Sequence, residues 1–311
     1  MESTQNIKRR IRAVQNTAQI TKAMEMVSAN KMRRSQEIAL AARPYALKAL
    51  EILRELGRRA PALPTLMYQR EIKNTLFVLV TADKGLAGSL NSNIFRCFEK
   101  FERKLTKTKN DSGEIAYIAV GKKSEDYLVR RGKKITNSFT KFGDYIETEE
   151  IQPLADCIIN GYEIGLWDRV FMLSTHFRTT LRQDVVLREI LPATPESIET
   201  TVNEIVPEYG RYAENAKERN TTNNNWEYLI EPSPQFIMDS LVRHLVETQI
   251  YALVLEANAS EHSARMVAMK NASDNALELK NSLSLLYNKS RQAGITREIA
   301  EISAGAEALN N

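Results

Sequence analysis

"QFIMDSLVRHLVETQIYALVLEANASEHSARMVAMKNASDNALELKNSLSLLYNKSRQAGITREIAEISAGAEALNN", Gln235 to Asn311, runs for 77 residues with no proline and only two glycines, Gly294 and Gly305. The stretch predicts one helix far longer than a globular core needs, roughly 100 Å at about 1.5 Å of rise per residue. Leu241, Leu245, Thr248, Ala252, Leu255, Ala259, His262, Met266 and Met269 follow a heptad-like step along it. Near Ala276 the pattern reads as a change of register, with Leu279, Leu283 and Leu286 taking over. Several seam positions are small or polar (Thr248, Ala252, Ala259, Ser273), which predicts close helix contact with modest adhesion. Upstream, Ser233 is placed to cap this helix and Pro234 suits its first position.

The other end of the chain has the same character. Its first 43 residues contain neither proline nor glycine. Ser3 or Thr4 can cap a helix there. Ile7, Ile11, Val14 and Ala18 step by four, three and four. The next positions in that register, Thr21, Glu25 and Ser28, are polar. The apolar stripe is therefore read as moving to Ile20, Met24 and Val27, a seam that rotates around the helix. Pro44 is able to kink this helix, and Pro61 and Pro64 are expected to end it. Two rods framing a strand-bearing middle suggest a shaft, built for mechanical coupling more than for substrate chemistry.

The middle alternates strand and helix. Strands are expected at Leu76–Val80, Ile115–Val120, Ile135–Phe139 and Arg169–Phe177, with Asp184–Ile190 as an antiparallel edge. Helices are expected at Asn93–Leu105, Ser124–Arg131 and Ile151–Leu166. Strands separated by helices imply a parallel or mixed sheet with crossovers. From Pro192 to Asn225 the sequence turns polar, and Asn220–Asn225 ("NTTNNN") reads as a flexible tip.

Composition is that of a soluble protein, 43% hydrophobic and 26% charged. The net charge of +4 is too small to argue for nucleic acid, but it is unevenly placed. Ile7–Gln36 carries Lys8, Arg9, Arg10, Arg12, Lys22, Lys31, Arg33 and Arg34 against Glu25 alone, so the rest of the chain is net acidic. Three readings stand for this basic helix: contact with nucleic acid or anionic lipid, a match to an acidic protein surface, or a solvated face. The absence of aromatics from Met1 to Arg43 counts against single-strand binding by stacking. Cys97 and Cys157 show neither disulfide nor metal spacing. No apolar run spans a bilayer, and Met1 leads directly into the helix, so a cytosolic or partner-attached protein without a leader is expected.

The search for chemistry is largely negative. "TADKGLAGS" (Thr81–Ser89) follows a strand and precedes a helix, so its glycines allow a phosphate cradle, but it lacks three-glycine dinucleotide spacing. A structural or contact loop is the better reading. "GKKS" (Gly121–Ser124) resembles the end of a phosphate-binding loop, yet position 116, where that motif needs glycine, is Ala116. His176, His244 and His262 gather no carboxylates or thiols at metal spacing. No nucleophile elbow accompanies the serines. No catalytic, cofactor or metal site is expected.

Five longer stretches go further. "IKRRIRAVQNTAQITKAMEMVSANKMRRSQ" (Ile7–Gln36) resembles the N-terminal signature of the γ subunit of F-type ATP synthases. "ASEHSARMVAMKNASDNA" (Ala259–Ala276) and "LYNKSRQAGITREIAEISAGAEAL" (Leu286–Leu309) resemble its C-terminal signature. "TADKGLAGSLNSNIF" (Thr81–Phe95) is similar to the middle motif, and "WEYLIEPSP" (Trp226–Pro234) to the lead-in to the long helix. The matches occur in family order and cover most of the chain.

The resemblance implies a long antiparallel coiled coil of the N- and C-terminal helices plus a Rossmann-like central α/β domain. The divisions are 1–60, 70–225 (with 193–225 a polar excursion) and 233–311. It implies a non-catalytic central-stalk rotor inside a hexamer of α and β subunits. The central domain would lie near the ε subunit and the membrane ring of c subunits. Proton flow turns the ring, and the β-subunit catalytic sites change shape in turn. Membrane association would be indirect, on the cytoplasmic side of a bacterial inner membrane, with no nucleic acid. The remaining alternatives are a basic coiled-coil nucleic-acid binder and an α/β nucleotide-using enzyme.

Residue by residue, Met24 corresponds to a coupling position facing an acidic β-subunit loop. Arg9, Arg10 and Lys22 belong to the basic collar expected to face the same acidic loops. Arg265, Gln292 and Thr296 correspond to shaft positions that affect coupling. Arg291 and Gln292 are candidates for hydrogen bonds to a β-subunit loop. Asp83, Lys84 and Gly85 lie in the loop expected near the underside of the hexamer. Two departures stand out: 193–225 is long and polar for the family, and the cysteine pair of the light-regulated chloroplast form is absent.

Overall fold

The computed structural model describes residues 3–57, 62–107, 113–143, 145–204 and 230–309. The "NTTNNN" tip and residues 226–229 of the lead-in lie outside them. The chain divides into two compact units, one of Met1–Val27 with Met266–Asn311, the other of Ser28–Arg265. Helix α1 (Thr4–Leu56) and the last helix, α6 (Pro234–Leu309), each contribute to both.

Between them lie β1 (Asn74–Val80), α2 (Leu90–Lys107), β2 (Glu114–Val120), α3 (Lys122–Arg130), β3 (Ile135–Phe139), α4 (Thr148–Glu163), β4 (Arg169–Thr179), β5 (Arg182–Leu191) and α5 (Pro195–Glu204). The sheet order is β3-β2-β1-β4-β5. The β1–β2, β1–β4 and β2–β3 pairs are parallel, and the β4–β5 hairpin is antiparallel at the edge. Every expected strand is present, and the expected helices begin two or three residues earlier than their apolar patterns, where polar first turns hide them.

The strands alternate between two apolar layers, as the period of two requires. Phe77, Leu79, Tyr117, Ala119 and Leu173 face α2 and α3 through Ile94, Phe98 and Leu128. Leu76, Val78, Ile118, Val170 and Met172 face the opposite layer. That layer combines Leu154 and Ile158 of α4, Leu50 and Leu53 of α1, and Leu245, Ile250 and Leu253 of α6. The two long helices are thus part of the sheet's own core within the Ser28–Arg265 unit. Five consecutive positions in the C-terminal part of β1, Leu76 to Val80, are at most 3% exposed, which explains their unbroken apolar run.

The helix ends follow the sequence signals. Ser3 Oγ accepts from the Asn6 amide at 3.4 Å. Ser233 Oγ accepts from the Phe236 amide at 3.3 Å, and α6 begins at Pro234. Helix α1 runs through Pro44 and stops at Leu56, before Pro61 and Pro64.

The seams differ from the expectation. In α1 the heptad step does not rotate away: Ile7, Ala18, Thr21, Ser28, Ser35, Ala39, Ala46, Ala49, Leu53 and Leu56 are all buried. Ile20 and Val27 are 60% and 51% exposed, and Met24 is half-buried. In α6 the step also continues, through Met269, Ser273, Ala276 and Leu283, while Leu279 and Leu286 are exposed. The physical reason is that the seam hydroxyls are satisfied. Thr21 Oγ1 donates to Thr17 O at 2.9 Å and Ser35 Oγ to Lys31 O at 3.0 Å, each within its own helix. Ser273 Oγ reaches across the seam to Ala18 O at 3.3 Å. Small, satisfied side chains let two backbones approach closely between larger seam residues such as Ile7 and Leu283, and Ile20, Val27, Leu279 and Leu286 are left outside.

Candidate functional site

Strand β1 has β2 on one side and β4 on the other, so the chain's winding reverses there. In open α/β sheets the loops at that point form a crevice beyond the strands' C-terminal ends. The Thr81–Ser89 loop emerges into it. Gly121, which begins the turn into α3, has φ of 91°, and a Cβ there would lie 2.1 Å from Thr81 O. Only glycine lets the two loops meet.

Asp83 fills the space where an anion would sit. Its Oδ1 accepts from the Lys122 amide at 2.7 Å and its Oδ2 from the Lys141 amide at 2.9 Å. Thr81 Oγ1 accepts from the Ser124 amide at 2.7 Å. The Lys123 amide donates to Ala82 O at 3.2 Å, so the neighbouring loop satisfies the first turn of α3 with two side chains and one carbonyl. Both phosphate-cradle candidates, Thr81–Ser89 and Gly121–Ser124, thus complete one another. Beside them is a cavity of about 460 Å³ lined in part by Lys84, Lys141, Thr175, Glu261 and Arg265.

Arg265 holds the same loop from α6. It is 7% exposed. Its Nε and Nη2 each donate to Gly85 O at 3.3 Å, and Nη2 also reaches Lys84 O at 3.5 Å. The guanidinium pairs with Glu261 one turn earlier and lies 3.3 Å from His262 Nδ1. Burial raises the Glu261 carboxyl above its ordinary 4.5, and Arg265 offsets this only in part. Between the anchored residues Leu86 projects, 61% exposed and at φ of 66°. A β-carbon residue in that region is uncommon. The loop is a braced platform with an apolar tip.

The sequence-derived positions thus fall into two groups. Asp83, Lys84, Gly85 and Arg265 come together in the Ser28–Arg265 unit. Arg9, Arg10, Lys22, Met24, Arg291, Gln292 and Thr296 belong to the other unit. Arg9 and Arg10 are exposed, and Lys22 pairs with Glu25 at 3.0 Å. Arg291, Gln292 and Thr296 are exposed, with Thr296 Oγ1 donating to Gln292 O at 3.0 Å. In the same unit Ile20, Leu285, Ile299 and Ile302 are between 59% and 73% exposed.

One group had no sequence signal. His176 of β4, Arg188 of β5 and Glu256 of α6 meet in the core, each at most 8% exposed. They lie on three elements far apart in the chain, so no local spacing announces them.

A family model described as ATP synthase matches residues 3–309. The ATP synthase gamma chain of Roseiflexus castenholzii is 42% identical over 314 residues, spanning 99% of each chain. The chain belongs to the ATP synthase gamma chain family. The family places it among the non-catalytic, central-stalk subunits of ATP synthase, and the nucleic-acid and enzyme alternatives give way. Among solved structures, the rotor of the Euglena gracilis mitochondrial ATP synthase shares the fold at a TM-score of 0.60 and 18% identity, covering 94% of this chain and 98% of that one. The central stalk and c-ring of the Tetrahymena thermophila mitochondrial enzyme gives 0.54 and 25%, covering 82% and 99%. The paired terminal helices and the Rossmann-like middle are therefore those of a gamma chain. No helix among the described residues is long and apolar enough to cross a membrane.

Proposed function

We propose that this chain is the rotor of a proton-translocating ATP synthase, turning with a membrane ring of c subunits inside a hexamer of α and β subunits. Its function divides into three parts: a first helix over 1–60, a central domain over 70–225, and a second helix over 233–311. The central domain takes up torque from the ring and binds the ε subunit. The paired helices deliver the torque to the β-subunit catalytic sites. The complex is peripheral, on the cytoplasmic side of a bacterial inner membrane.

The observation that carries this reading is the apolar surface that the paired helices leave outside their seam. Small or polar Ala18, Thr21, Ser273 and Ala276 are buried, while Ile20, Leu285, Ile299 and Ile302 face outward. A free coiled coil puts its large apolar residues at the seam. Outward apolar positions are useful to a shaft enclosed by a protein sleeve that it must touch without adhering. In this account Arg9, Arg10 and Lys22 face acidic β-subunit loops beside Met24. Arg291, Gln292 and Thr296 offer polar contacts higher on α6. Asp83, Lys84 and Gly85 present Leu86 under the hexamer, and Arg265 supports them from within.

Driving a site from 1:99 to 99:1 takes about 5.5 kcal/mol of differential interaction. Each shaft orientation supplies that total through many small contacts. The test is reconstitution with α, β, ε and the ring in vesicles. The expected result is ATP-driven proton uptake that requires this chain. Hydrolysis and uptake at full rate without it would overturn the proposal.

A further inference from the structure

Within the Ser28–Arg265 unit, α6 lies in an apolar layer, yet one of its stripes is polar. Gln249, Glu256, Ser260 and Ser263 follow steps of seven, four and three, and none is more than 5% exposed. Gln249 Nε2 donates to Thr201 Oγ1 of α5 at 2.9 Å. The other three find partners on the β4–β5 hairpin. Glu256 pairs with His176, and its other oxygen lies 3.5 Å from Arg188 Nη1. Ser260 Oγ donates to Thr175 O at 3.4 Å. Ser263 Oγ donates to Thr180 O at 2.8 Å and accepts from Gln183 Nε2 at 3.3 Å.

Cohesion alone does not call for this. Buried ion pairs cost desolvation, and apolar residues of similar volume are often as stabilising or more so. What an apolar surface lacks is angular definition. Leucines and valines can repack when a helix rolls a few degrees about its axis, because dispersion contacts are non-directional. A carboxylate held between a strand imidazole and a strand guanidinium cannot follow such a roll without leaving a buried charge unpaired, which is strongly unfavourable. The flanking hydroxyls extend that restraint along two turns.

We infer that the polar stripe Gln249–Glu256–Ser260–Ser263, centred on the His176–Glu256–Arg188 cluster, is a non-slip joint by which the central domain grips α6 against torque. The inference rests on the rotor reading above. These are positioning residues, touching neither nucleotide nor ion. A joint of this kind matters only under load, and that separates it from a merely structural role.

The experiment uses the assembled complex in vesicles with the triple substitution His176→Leu, Arg188→Met, Glu256→Leu. Thermal stability and uncoupler-released ATP hydrolysis are expected to match the natural complex. The first protons pumped per ATP, before a gradient builds, should also match. The steady proton gradient should fall about threefold or more, as the domain slips on the helix under back-pressure. Glu256→Gln, which keeps one hydrogen-bonding group, should restore part of the loss. A triple variant that sustains the natural gradient would overturn the joint alone. If the triple variant does not assemble, Ser260→Ala with Ser263→Ala decides: a lowered gradient at natural unloaded hydrolysis supports the joint, and an unchanged gradient overturns it. A natural complex that fails to pump would remove the rotor reading, and the joint with it.

Discussion

Arg265 was expected among the shaft positions that affect coupling, and its surroundings show what it holds. It is nearly buried, and its donors go to Gly85, Lys84 and Glu261 of its own chain. Through the Lys84 and Gly85 carbonyls it holds the loop that carries Leu86. Arg265→Ala removes one member of a buried pair, so the purified complex should lose about 3 kcal/mol of chemical stability in this subunit. Arg265→Lys keeps the charge but not the fork, and should recover less than half of that loss in a denaturant titration. Glu261 gives a pH test. Its folded pKa lies above the ordinary 4.5 because burial disfavours the anion. The folded state therefore holds a proton that the unfolded state has released, and stability declines as pH rises from 4.5 through the raised value. Denaturation midpoints measured between about pH 4 and 7 should show that decline, and Glu261→Gln should flatten it. Arg265 could be picked out from its motif, but its role could not, since the motif does not say which backbone carbonyls lie within reach.

At the scale of elements, the α/β middle was almost wholly legible. Buried parallel strands are unbroken apolar runs, and β1, β2 and β4 advertise themselves that way. The two seams were not. Periodicity assigns large apolar residues to the inside, which places the stripe at Ile20, Met24 and Val27 and at Leu279, Leu283 and Leu286; of these only Leu283 is buried and Met24 half-buried. The structure instead buries Thr21, Ser28 and Ser273. The rule fails because hydropathy reports that a residue avoids water, not whether its own chain or another subunit covers it. The two roles can be separated by mutation. Ser273→Leu should overpack the seam and cost about 1–3 kcal/mol, read from thermal melting of the complex. Ile20→Ser should change stability by less than about 0.5 kcal/mol, since it lies outside the seam. The same substitution should still lower ATP-driven proton uptake per ATP. Equal melting losses in the two variants would contradict the division.

For the whole molecule, the expectation is a transmitter with no chemistry of its own. The purified chain should hydrolyse no ATP, while the complex containing it does, as a coupled-enzyme assay would report. The absence of turnover is expected from how Asp83 is used. The crevice at the sheet's switch point exists, and so does the helix end that in related architectures receives phosphate. Here both carboxylate oxygens of Asp83 already take amide donors of α3 and the 141 segment. A transmission part immersed in the very metabolite its machine manufactures gains from being indifferent to it. With the berth occupied by a tethered carboxylate, product is felt at the catalytic subunits and has no handle on the axle through this helix end.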